Sequence, residues 1–156
     1  ILISTALGLL ITMAVGIVLN MFFLSVLYYV IFVTVRQWTG GYHADSYLKC
    51  NLTFAGITFF TLGMTKLSCM REVYNPTIHG LILVTVLLIV WKYAPVENPN
   101  KPLTEEQKKR NHRAAFIAVI VLEALSCGLY VFSSEVSALA AYTLFSIAVL
   151  ILISKK

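Results

Sequence analysis

Cys50 and His43 stand seven residues apart in a short polar segment, Gln37 to Cys50, that interrupts two long apolar runs. A thiol and an imidazole together are the minimum equipment for cysteine acyl transfer: the sulfur attacks a carbonyl and the ring moves the proton. Only the thiolate attacks, so a pKa of about 8.5 must be lowered by a neighbouring cation such as protonated His43. In a straight helix, seven residues bring both side chains to nearly one face but about 10.5 Å apart along the axis. Contact therefore requires a bend, a loop at the start of the segment, or a second subunit. Gly40-Gly41 allow such backbone, so a loop or broken helix is expected around Gly40 to Asp45, with Cys50 on the helix that follows. The bland alternative makes His43 an interfacial polar residue and Cys50 a small buried hydrophobe. No third member of a triad stands out, and Asp45 reads as a helix N-cap.

The elements that must position this pair are set by composition. The 156 residues are 59% hydrophobic and 12% charged, against about 25% charged in soluble domains. An all-α polytopic membrane protein is expected, with lipid as outer solvent. Residues 1–35 carry no charge, and one helix of that length would overshoot a hydrocarbon core of about 30 Å. Two short spans with a turn near Gly16 or Asn20 fit better. Further spans are expected over Leu52 to Cys69, Ile78 to Tyr93, Ala114 to Phe132 and Val136 to Ile153, with a hydrophilic loop from Ala94 to Arg113. The total is six.

Short cytoplasmic loops are enriched in Lys and Arg. Arg36 with Lys49, the stretch from Lys92 to Arg113, and Lys155-Lys156 then share the inner side, and two spans separate each group from the next. Both termini are expected in the cytoplasm, and the net charge of +5 is a topology signal with no need of nucleic acid. Cys50, Cys69 and Cys127 have no paired spacing, which argues against a disulfide framework or zinc ribbon. No GxGxxG, phosphate loop or HExxH occurs, against nucleotide-driven pumps and zinc proteases. No metal or cofactor is expected.

Arg36, Gly40, Gly41, His43, Ala44 and Cys50 form an R-x3-GG-x-HA-x5-C pattern, and Tyr93-Ala94-Pro95-Val96-Glu97 followed by Asn100-Lys101-Pro102-Leu103 forms a second signature. With the six-span layout, these resemble the accessory gene regulator B (AgrB) membrane peptidases of bacterial quorum sensing. The resemblance implies a single transmembrane peptidase domain over residues 1–156 of the bacterial cytoplasmic membrane. It would cut the C-terminal part of an AgrD-like precursor peptide, with Cys50 as nucleophile and His43 as base. Arg36, Gly40 and Gly41 fall on supporting motif positions. It also implies an amphipathic N-terminal segment, so a native stretch is expected ahead of Ile1, and a homodimer is compatible with it.

Outside the motifs, Glu123 lies within the fifth expected span, where a carboxylate is paired or functional; it could orient the catalytic pair, bind substrate, or pair with Lys66 or a hydroxyl. Lys108, Lys109 and Arg110 would touch lipid head groups and could attract an acidic precursor tail. Cys69 and Cys127 read as packing residues, and His79 and His112 as interfacial ones. The rival functions are a small transporter or exporter, using Glu123 and Lys66, and a non-catalytic membrane scaffold.

Overall fold

The computed structural model describes residues 2–40, 47–97 and 102–154. They form six helices: α1 (Leu2–Val18), α2 (Phe22–Thr39), α3 (Tyr47–Met70), α4 (Pro76–Tyr93), α5 (Glu105–Tyr130) and α6 (Ser134–Ile153). Five of them, α2 to α6, are long and apolar enough to cross a membrane, and α1 is a shorter apolar helix.

Local chemistry explains the boundaries. Asn20, at a φ of 54°, makes the break between α1 and α2, since Asn tolerates the left-handed region. Gly16 lies inside α1 instead, where a Cβ would come within 2.1 Å of Ser25 Oγ on α2; its role is close helix approach. The Asn75 side chain accepts from Ile78 N at 3.0 Å ahead of Pro76 at the start of α4. Ser133 Oγ accepts from Val136 N at 3.3 Å at the start of α6.

The stretch from Ala94 to Arg113 is not one continuous loop, because α5 begins at Glu105. Thr104 and Gln107 close a reciprocal capping box, and Glu105 and Glu106 occupy the first turn, where negative charge complements the helix dipole. At 26 residues, α5 is roughly 39 Å long. It exceeds a hydrocarbon core of about 30 Å, which leaves its basic first turns for the interface.

The C-terminal helix α6 is the centre of the bundle. Twelve of its 20 residues are buried, against four of 26 in α5 and four of 18 in α4. Small residues Ser137, Ala138, Ala140, Ala141, Ser146 and Ala148 line it, so neighbouring backbones approach closely, as packing in lipid requires. Polar contacts bridge helices inside: Thr61 and Ser146 hydroxyls meet at 2.7 Å, and Thr58 Oγ1 donates to Tyr28 Oη at 3.3 Å. Outward faces carry large exposed apolar side chains, such as Phe59, Phe60, Leu81, Leu88, Ile117 and Leu125. A surface of that kind suits lipid contact.

Candidate active site

Cys50 is the fourth residue of α3, in its first turn, and is half-buried. The first four backbone N–H groups of a helix have no partner within it, and the helix N-terminus favours negative charge. Arg36 stands in the last turn of α2, ahead of the stretch that leads to α3. His43, Gly41 and Asp45 lie outside the described residues, so their placement in the loop or broken helix expected there is not part of this geometry.

The near end of that segment is firmly built. Gly40 ends α2 at a φ of 65°, the left-handed region that glycine enters without penalty. Its carbonyl accepts from Arg36 Nη1 at 3.2 Å and from Thr39 Oγ1 at 3.3 Å. Val96 N donates to Thr39 O at 2.8 Å, and Gly40 and Val96 form an isolated parallel bridge. A Cβ on Gly40 would sit 2.1 Å from Val96 O. The two sequence signatures therefore touch, through residues more than fifty positions apart in the chain.

The 94–97 segment is itself tied to α5. His112 Nδ1 lies 2.8 Å from Ala94 O; a carbonyl only accepts, so Nδ1 carries the proton. Glu97 Oε1 pairs with Lys108 Nζ at 3.1 Å and accepts from Leu103 N at 3.4 Å. Lys108 also pairs with Glu105 at 2.8 Å, whereas Lys109 and Arg110 are exposed.

Glu123 belongs to neither end of this arrangement. It lies eleven residues beyond His112 on α5, roughly 16 Å along the axis. It is 6% exposed, and its Oε1 has no hydrogen-bond partner among the described residues. The pairing with Lys66 does not form: Lys66 Nζ donates to Leu19 O at 2.7 Å, closing the turn between α1 and α2.

At the opposite end of the bundle the structure corrects two expectations. His79 is buried rather than interfacial. Its Nδ1 meets the Tyr74 hydroxyl and lies 3.4 Å from Ser137 Oγ, while its Nε2 is 3.5 Å from Cys127 Sγ. Cys127 is an exposed thiol in contact with an imidazole, not a packing residue. Sequence reasoning missed this pair because 48 residues separate its members; the one available signal was a histidine one turn into an apolar helix. Cys127 lies in the last turn of α5. Among the described residues no three of His, Cys, Asp and Glu gather closely enough to hold a metal ion.

The described residues are helical, and five of their helices are long and apolar enough to cross a membrane, the pattern of a polytopic membrane protein. The chain matches the family model of accessory gene regulator B over residues 1–154, and it belongs to the AgrB family. It is 26% identical to AgrB-like protein 2 of Clostridium perfringens over 136 residues, covering 83% of this chain and 64% of that protein. It is 24% identical to accessory gene regulator protein B of Staphylococcus intermedius over 119 residues, covering 75% of this chain and 60% of that protein. The matches thus span a little under two thirds of these relatives' length. No solved structure matches the chain.

Proposed function

We propose that the protein is a cysteine endopeptidase of the bacterial cytoplasmic membrane. Its substrate is an AgrD-like quorum-sensing precursor, cleaved in its C-terminal part. The observation that carries this reading is the position of Cys50 in the first turn of α3, with Arg36 in the last turn of α2 at the other end of the short stretch that joins the two helices. A helix N-terminus attracts negative charge, and Cys50 stands at one, whereas Cys127 lies in the last turn of its helix.

Cys50 attacks the precursor carbonyl, His43 protonates the departing amine, and the upstream peptide stays on sulfur as a thioester. His43 is three residues from Gly40, and an extended chain covers about 10 Å in that distance. The anchored glycine thus bounds the imidazole's reach. Backbone N–H groups at a helix N-terminus point along the axis toward such a charge, so the first turn of α3 is suited to receive the oxyanion. A precursor Cys or Ser then takes the acyl group to close a thiolactone or lactone ring. Thioester exchange is close to neutral in energy, but amide to thioester is uphill, so removal of the tail or export of the ring must draw the reaction forward. A half-buried interfacial site limits hydrolysis of the intermediate.

In this reading residues 1–156 form one domain with six spans and both termini in the cytoplasm. The Cys50 end faces inward, because Arg36, Lys49, Lys92, Lys108, Lys109, Arg110 and Arg113 cluster there and basic loops are retained inside. Lys109 and Arg110, exposed on α5, are available to an acidic precursor tail, and a homodimer is compatible with the arrangement. The test is mass spectrometry of the protein in lipid nanodiscs with precursor peptide: an upstream-peptide thioester on Cys50, absent in Cys50→Ala, supports the reading, and no adduct with no cleavage refutes it. The transporter alternative rests on the buried Glu123, whose Oε1 has no hydrogen-bond partner among the described residues. Glu123→Gln should leave cleavage intact if the chemistry is at Cys50, and transport of a peptide abolished by that change alone would favour the rival.

A further inference from the structure

We propose that His112 is a positioning residue for the reaction at Cys50, acting through the 94–97 segment as a clip on the glycine that precedes His43. This inference rests on the peptidase reading and deepens it.

The contacts form one unbroken path. On α5, His112 Nδ1 holds Ala94 O at 2.8 Å, and the His112 ring packs against Trp91 with centroids 5.5 Å apart, which fixes its orientation. Lys108, one turn earlier, holds Glu97 at 3.1 Å. Between these two ties, Val96 N donates to Thr39 O at 2.8 Å, and the Val96 backbone lies flat against Gly40, close enough to exclude a side chain. Gly40 O in turn accepts from Arg36 Nη1 at 3.2 Å, so the path ends on a side chain in the last turn of α2. Ala94 is buried and Thr39 fully so, so water competes poorly for these bonds.

The chemistry gives this path a purpose. His43 must reach a sulfur seven residues away, and a misplacement of about 1 Å can cost on the order of a hundredfold in rate. One end of the intervening segment is held by α3. The other is Gly40, whose direction of exit is set by a bridge to a segment that neither α2 nor α3 contains. Loosening His112 frees the 94–97 segment, lets Gly40 and Arg36 shift together, and detunes the dyad without touching substrate.

The experiment uses the full chain in nanodiscs with precursor peptide. It measures the Cys50 acylation rate at saturating peptide, the peptide concentration at half-maximal rate, and the thermal unfolding midpoint. His112→Leu removes the donor, whereas His112→Asn keeps an N–H near the Nδ1 position. The expected result is a fall of about tenfold to a hundredfold in the saturated rate for His112→Leu, with half-maximal concentration within about twofold and substantial recovery in His112→Asn. Should His112→Leu not fold, Val96→Pro removes the N–H that reaches Thr39 and should give the same selective loss. An unchanged rate in the folded variant, or a loss that follows unfolding and is not recovered by Asn, overturns the clip while leaving the peptidase reading in place. A wild-type protein that never acylates overturns both.

Discussion

Two thiols, Cys50 and Cys127, show how position decides chemistry. The first sits where a helix begins; the second sits where a helix ends, 3.5 Å from a buried imidazole. Cys127→Ala should therefore leave precursor cleavage within about twofold of wild type, while Cys50→Ala should reduce it by at least a thousandfold, on the scale of losing a nucleophile; cleavage assays on the two variants check this. Tyr74, in the turn between α3 and α4, carries a second prediction. Burial pushes its phenol up, so the folded protein holds the proton after the unfolded chain has lost it. Its contribution to stability is constant below about pH 10 and falls above it, by at most about 1.4 kcal/mol per pH unit. Unfolding midpoints measured from pH 8 to 11 should show that decline in wild type and a weaker one in Tyr74→Phe. That Cys50 would sit on the helix following Gly40-Gly41 was legible in the sequence, because the break and the apolar run after it are local. The Cys127–His79 contact was not, because only the packing of α4 against α5 creates it.

Among the elements, the join between α2 and the 94–97 segment is the most sensitive. Gly40→Ala meets both a left-handed φ, costing about 1–2 kcal/mol for an L residue, and a contact of 2.1 Å to Val96 O. It should open the join and lower the acylation rate at least tenfold while the helix bundle stays folded, as circular dichroism and the acylation assay would report. Thr61→Val tests the packing of α3 on α6 separately. It leaves Ser146 without its 2.7 Å partner, at a cost of about 0.6 kcal/mol and no more than about 1.7 in a membrane bundle, measurable by reversible unfolding in mixed micelles. The apolar runs revealed where helices would be, since lipid demands long uninterrupted stretches. They could not reveal that α5 starts at Glu105, because there a capping box and first-turn acids extend the helix beyond its apolar part. Nor did they mark α6 as central, because its small residues matter only through the neighbours they admit.

At the scale of the whole molecule, the bundle keeps two ends chemically distinct: a basic end with Cys50, and an end with His79, Cys127 and the short acidic-basic turns at Arg71, Glu72 and Glu135. If the basic end faces the cytoplasm, a membrane-impermeant maleimide added to intact cells should label Cys127 and spare Cys50 until the membrane is opened; the reverse pattern would invert the topology. The sequence carried this polarity in its charge spacing, yet it held no sign that the two signatures meet at Gly40 and Val96, since a contact across more than fifty residues depends on how helices return. The most direct measurement is the mass of the protein after brief exposure to precursor peptide in nanodiscs, with the modified residue located by fragmentation. The account predicts an upstream-peptide thioester on Cys50 that hydroxylamine removes. An adduct confined to Cys127, or peptide cleavage undiminished in Cys50→Ala, would contradict it.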